Sequence, residues 1–159
     1  MQKNKIHKDV YKFTIQCEPK TKKNSGRIII NRKTGKPQYI PSKEFKEYEK
    51  EAAVFVPRLH ISTPVNVQAI YYRASKKRVD LTNLHEALHD LLVDCGCLED
   101  DNANIIIGTD NSRVMIDRKN PRTEVTITPA KATFMDPEIK EKKNKESKKS
   151  KEAERKEEA

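Results

Sequence analysis

Two segments of the chain carry apolar residues at helical spacing, and most of its other apolar residues fall in short β-type runs. Val10 to Glu18 alternates as a strand with one buried face does. Arg27 to Ile30 and Pro37 to Ile40 are β-branched or aromatic stretches on either side of Asn-Arg-Lys-Thr-Gly-Lys, whose Gly and polar residues suit a hairpin turn. Ser42 is placed to cap a helix over Lys43 to Val56, in which Phe45, Tyr48, Ala52, Phe55 and Val56 share a face. Val65 to Tyr72 predicts the next strand. Asp80 to about Cys95 predicts the clearest helix, closed by Gly96. Ile105 to Gly108, Arg113 to Ile116 and Thr123 to Thr128 read as three further strands. The order β, ββ, α, β, α, β, β, β predicts an α/β (α+β) fold, a mixed sheet with two helices packed on it.

After Pro129 the pattern stops. The chain has 159 residues, 35% hydrophobic and 36% charged, which suits one domain over residues 1–134. Residues 135–159 are Lys/Glu-rich with almost no apolar side chains, and are expected to be a disordered tail. No run of about 18 apolar residues is present to span a bilayer, and the start lacks the apolar stretch of a secretory signal. A soluble, cytoplasmic protein is expected, with no membrane partner. Cys17, Cys95 and Cys97 are an odd number of cysteines and give no disulfide framework.

Charge changes the picture. The net charge is +9, but the tail holds nine bases and eight acids and contributes only +1. Within the body, Asp80 to Ser112 contains eight acids and no Lys or Arg. The rest of the body has 24 bases against 8 acids. A frame this basic attracts a polyanion, and nucleic acid is the commonest one inside cells. A block of carboxylates repels the same polyanion unless a cation stands between them, which suggests a metal-dependent enzyme acting on phosphodiesters. The plainer alternative is a solvated basic surface with a solvated acidic face.

The helix from Asp80 shows where such acids point. At about 100° per residue, Leu81, Leu84, Leu88, Leu91, Leu92 and Cys95 form a core stripe, and Asp80, Asn83, Ala87, Asp90 and Asp94 form a polar ridge beside it. Asp80 suits an N-cap. Asp94 lies near the negative end of the helix dipole, where an acid requires compensation. Beyond Gly96, Glu99, Asp100 and Asp101 follow in succession, and adjacent carboxylates need a cation, a donor cluster or a raised pKa.

Asp80-Leu-Thr-Asn-Leu84, with Ala87, Asp90, Leu91, Gly96 and Leu98-Glu-Asp-Asp101, resembles the central signature of the RusA-like Holliday-junction resolvases. Lys22-Lys-Asn-Ser25 and Pro41-Ser-Lys, with the Tyr48 helix, extend the resemblance over about residues 10–129. It implies a crossover junction endodeoxyribonuclease, a homodimer that resolves branched DNA by paired symmetric nicks in recombination and repair, with Mg²⁺ as cofactor. It implies catalytic roles for Asp80, Asp100 and Asp101, and metal binding by Asp80 and Asp101. Two departures stand out. Thr82 occupies the place of a second acid, so Asp90, Glu86 or Asp94 would complete the ligands, with Asp90 the first choice. Glu86 occupies the place of a lysine, which Lys76, Lys77 or Lys119 would replace. The expected DNA-binding residues are Lys22, Lys23, Asn24, Lys33, Lys36, Lys76, Lys77, Arg78 and Lys119.

Two rivals remain open at this point. Thr82 also suits a non-catalytic binder of branched DNA derived from a nuclease. His85, His89, Cys95 and Cys97 allow a structural zinc site, although Cys95 lies in the apolar stripe and Cys-x-Cys is tighter than usual zinc spacing.

Overall fold

The computed structural model describes residues 9–22 and 26–131. Lys23, Asn24 and the 135–159 tail lie outside these. The elements are β1 (Tyr11–Ile15), β2 (Arg27–Ile30), β3 (Pro37–Ile40), α1 (Lys43–Ala53), β4 (Val65–Arg73), α2 (Leu81–Asp94), β5 (Ile106–Gly108), β6 (Arg113–Ile116) and β7 (Arg122–Pro129). The order and number match the hydrophobic pattern.

β4 is the spine of a mixed sheet. It pairs antiparallel with β7, which pairs antiparallel with β1. On its other edge β4 runs parallel to β5 at Val65 and Asn66, and parallel to β6 from Ile70 to Arg73. β5 and β6 thus lie one after the other along the same edge. Between them side chains take over the bonding: Asn66 Oδ1 accepts from the Asp110 amide at 2.8 Å, and Ser112 Oγ accepts from the Ala69 amide at 3.0 Å. β2 and β3 form a separate antiparallel hairpin.

Alternation fixes which sheet face is covered. Val65, Val67, Ala69 and Tyr71 of β4 and Thr123, Val125 and Ile127 of β7 are buried, in register across the pair. The same core takes Phe45, Tyr48 and Ala52 from α1 and Leu84, Leu88, Leu91 and Leu92 from α2. Each large side chain so buried contributes about 1.5–3 kcal/mol.

Three details differ from the sequence pattern. α1 stops at Ala53, short of Val56, because the residue before Pro57 is disfavoured in helix; Phe55 is consequently exposed while Val56 stays buried. Leu81 is exposed in the first turn of α2. Ala87 is buried although it belongs to the polar ridge, since its single methyl group lies close to the helix and is shaded by its neighbours. No helix among the described residues is long and apolar enough to cross a membrane.

Candidate functional site

α2 holds the candidate acids at its two ends. Asp80 occupies the N-cap, where its carbonyl accepts from the Asn83 and Leu84 amides at 3.1 and 3.3 Å. Its side chain makes no cap hydrogen bond; among the described residues the carboxylate accepts from Asn83 Nδ2, at 3.4 Å, and it is exposed. The backbone of Asp80 starts the helix, so capping does not account for its carboxylate. Asp90 follows after ten residues, roughly 15 Å along the axis, and Asp94 one turn later.

The helix ends where the acidic loop is anchored. Gly96 adopts φ +71, a conformation glycine takes without strain, and the Cys97 amide closes on the Leu92 carbonyl at 2.8 Å. Cys97 and Leu98 are buried, and the segment is tied to the chain after α1 by Ile61 N to Cys97 O at 3.0 Å and Glu99 N to Ile61 O at 2.9 Å. The acids beyond it divide. Asp100 turns into its own loop, accepting from the Asp101 amide and Asn102 Nδ2, each at 2.7 Å, and its bond from Asn102 leads in holding its carboxyl below the usual range. Asp101 faces outward and lines a cleft.

That cleft, of about 200 Å³, is lined by Lys22, Asp90, Val93, Asp94 and Asp101. Lys22 Nζ donates to Asp90 Oδ2 at 2.9 Å. This hydrogen bond leads in raising the pKa of Lys22, with the charges of Asp90, Glu49 and Asp94 adding to it. Glu49, from α1, is raised chiefly by partial burial, and the nearby Asp94 and Asp90 push in the same direction. Lys22, supplied from the loop after β1, pairs with Asp90 and places a positive charge near Asp94 at the negative end of the helix. The Tyr39 hydroxyl of β3 donates to the Lys22 carbonyl and ties that loop to the hairpin.

The structure brings Asp90, Asp94 and Asp101 to one cleft and leaves Asp80 at the other end of α2. Asp80 and Asp101 do not meet within one chain. Among the described residues no three His, Cys, Asp or Glu side chains are arranged to hold a metal ion. The donors in the cleft are nonetheless carboxylate oxygens, the kind a hard divalent cation takes, and they already hold one cationic group.

A second pocket, of about 220 Å³, lies across the Lys20–Lys22 segment from the cleft. Thr21 lines the pocket and Lys22 the cleft. Lys20, Ser42, Glu44, Arg73, Lys77 and Arg78 are among its walls. Arg73 Nη1 donates to the Lys77 carbonyl, which folds the loop between β4 and α2, while Arg73 Nε is buried without a hydrogen-bond partner among the described residues. The other expected DNA contacts are spread out: Lys33 and Lys36 at the hairpin tip, Lys76 beside the pocket loop, and Lys119 in the turn before β7, all exposed.

No protein-family model and no curated protein sequence matches this chain. What it does has to follow from its own side chains. Thr82 stands in the first turn of α2 and adds no charge beside Asp80. His85 and His89 stack with ring centres 5.5 Å apart, and His85 Nδ1 shares a hydrogen bond of 3.0 Å with the Tyr71 hydroxyl. Burial pushes His89 down to about 4 and lowers His85 as well. Cys97 is buried and its thiol is pushed up to about 12, chiefly by that burial. This is the arrangement of a packed imidazole pair and core thiols, and it favours no zinc site.

Arg73, which lines the cationic pocket, and Glu49 and Tyr39, which interact with Lys22 beside the cleft, were not singled out as site residues by the sequence pattern, whereas Lys20 was expected to open the loop that holds phosphates. Arg73 had a signal, since it opens the basic run to Arg78 at the end of a predicted strand. Glu49 had none, being one of several glutamates on a solvated helix face.

Proposed function

We propose that the chain is a Mg²⁺-dependent endonuclease of branched DNA, resembling the RusA-like resolvases, that cuts four-way junctions by paired nicks as a homodimer. One observation carries this: three aspartates from α2 and the acidic loop share a cleft whose neighbour across a single short segment is a cationic pocket. Phosphates have cations to rest on, and a divalent ion has hard oxygens to meet. Asp90, Asp94 and Asp101 do not form a three-ligand cage, so Mg²⁺ would be met by one or two of these carboxylates and keep most of its waters, and when bound it would lower the pKa of water and stabilise charge on phosphate oxygens. Pairing of two copies is supported by β6, an edge strand whose Val114, Met115 and Ile116 are exposed and whose outer side is unpaired among the described strands.

A second reading, a non-catalytic binder of branched DNA, is favoured by the ion pair of Lys22 with Asp90, which occupies one of the three carboxylates. A labelled synthetic four-way junction incubated with and without Mg²⁺ separates the two. The nuclease leaves symmetric nicks only with the ion. Intact strands at protein concentrations that shift the junction on a gel identify the binder and end the nuclease reading.

A further inference from the structure

The cationic pocket has more positive charge than its own acids neutralise. Lys20, Arg73, Lys77 and Arg78 face Glu18 and Glu44. Both oxygens of Glu18 are taken, one by Lys20 Nζ at 3.2 Å and the other by the Ala74 amide at 3.2 Å. Glu44 is at the pocket's exposed rim, its carboxyl lowered first by its backbone hydrogen bond and then by Ser42. Lys77 and Arg78 form no ion pair among the described residues. Arg73 Nε is buried without an acceptor among the described residues, an arrangement that is costly for a charged group. The pocket also opens at the start of α1, an 11-residue helix capped by Ser42, where the helix dipole favours negative charge.

We infer that this pocket binds a single phosphate group and fixes the register of a DNA strand, so that an adjoining phosphate lies against the acidic cleft. A phosphate offers several acceptor oxygens to a guanidinium fork and two ammonium groups, which a lone carboxylate cannot match. The register follows from the shared wall. Thr21 and Lys22 are consecutive, about 3.8 Å apart at Cα, and line different pockets. On the other side α1 reaches both: Glu44 lines the pocket, and Glu49, roughly 7.5 Å further along the axis, senses Lys22 and the acids of the cleft. The carboxylates alone repel a phosphate, and the pocket holds the strand beside them.

The register rests on the nuclease reading, whereas phosphate binding is a property of the pocket by itself, and two measurements on the full chain keep them apart. In the first, inorganic phosphate is titrated at constant ionic strength against chloride, following the arginine Nε–H signals by NMR. The expected result is a saturable shift of the Arg73 signal with phosphate and none with chloride, weakened about tenfold in Arg78→Gln, which leaves Arg73 and its packing in place. No phosphate-specific shift overturns the site. In the second, junction affinity is measured for wild type, Arg73→Gln and Arg78→Gln, with folding of each checked by circular dichroism. A loss of about tenfold with a salt slope reduced by about one supports the register. Phosphate binding with unchanged junction affinity assigns the pocket to free phosphate and overturns the register. A wild-type protein that binds no junction defeats the nuclease reading, and the phosphate titration still decides the pocket.

Discussion

The two pockets on either side of the Lys20–Lys22 segment are close in size and opposite in sign, and the difference comes from which charges find partners. In the cationic pocket, Glu18 is used up by Lys20 and a backbone amide, so Lys77 and Arg78 remain over. In the acidic cleft no base is available from the neighbouring sequence, because Asp80 to Ser112 has none. Among the described residues, Lys22 from the loop after β1 pairs with Asp90 and adds its charge near Asp94 and Glu49. A local run of one charge sign thus predicts a surplus only where no distant element donates the opposite sign.

The largest expected effect tests whether the chemistry belongs to the cleft. Asp90→Asn and Asp101→Asn should each lower Mg²⁺-dependent nicking of a junction by about a thousandfold, the loss of roughly 4 kcal/mol of charge stabilisation. Asp80→Asn, at the other end of α2, should cost about tenfold. Single-turnover nicking of the three variants gives the order directly. If Asp80→Asn is the most damaging, the centre lies at the start of α2, as the resemblance to the resolvases implies, and a single chain supplies only part of it.

A smaller effect concerns the helix that carries two of the cleft's aspartates. His89 is partly buried on α2, and desolvation there leads in lowering its pKa to about 4, from an ordinary 6.5. The unfolded chain binds this proton more readily, so stability is fully present above about pH 6.5 and falls as the pH drops towards 4. Discounted for incomplete burial, the loss is about 2–3 kcal/mol. Urea unfolding between pH 7.5 and 4.5 measures it, and His89→Gln should flatten the profile. An unchanged slope in the variant would show that other groups carry the acid sensitivity of α2.

The sequence pattern was most informative where a backbone choice is local. Gly96, the Asn31–Lys36 turn and the Ser42 cap each need only a few residues, and each stands where the pattern places it: Asn31 Oδ1 accepts from the Lys33 amide at 2.9 Å, and Ser42 Oγ from the Phe45 amide at 3.1 Å. The acids of the candidate site were legible as a set but not as an arrangement. Helical periodicity put Asp80, Asp90 and Asp94 on one ridge, yet says nothing of how far a ridge runs. Its length is what separates Asp80 from Asp101. Long-range partners left no trace in spacing: Lys22 and Asp90 are 68 residues apart. Lys22 reads as a DNA contact because it sits in a basic loop, and only the folded chain turns it towards the carboxylates.

The smallest effect on stability bears most directly on why the two pockets differ. Lys22 and Asp90 are both partly exposed, with 37% and 30% of their side-chain surfaces accessible, so the ion pair contributes less than about 1 kcal/mol. Lys22→Gln should therefore fold normally, with a melting temperature within a few degrees of wild type. It leaves Asp90, Asp94 and Glu49 without their cation, and a divalent ion should then stabilise the variant more than it does the wild type. Thermal melts with and without Mg²⁺ at fixed ionic strength compare the two shifts. A larger shift in the variant means that the ammonium and the metal ion compete for the same carboxylates. Equal shifts mean that Mg²⁺ acts elsewhere, and the lysine is then a fixed part of the cleft.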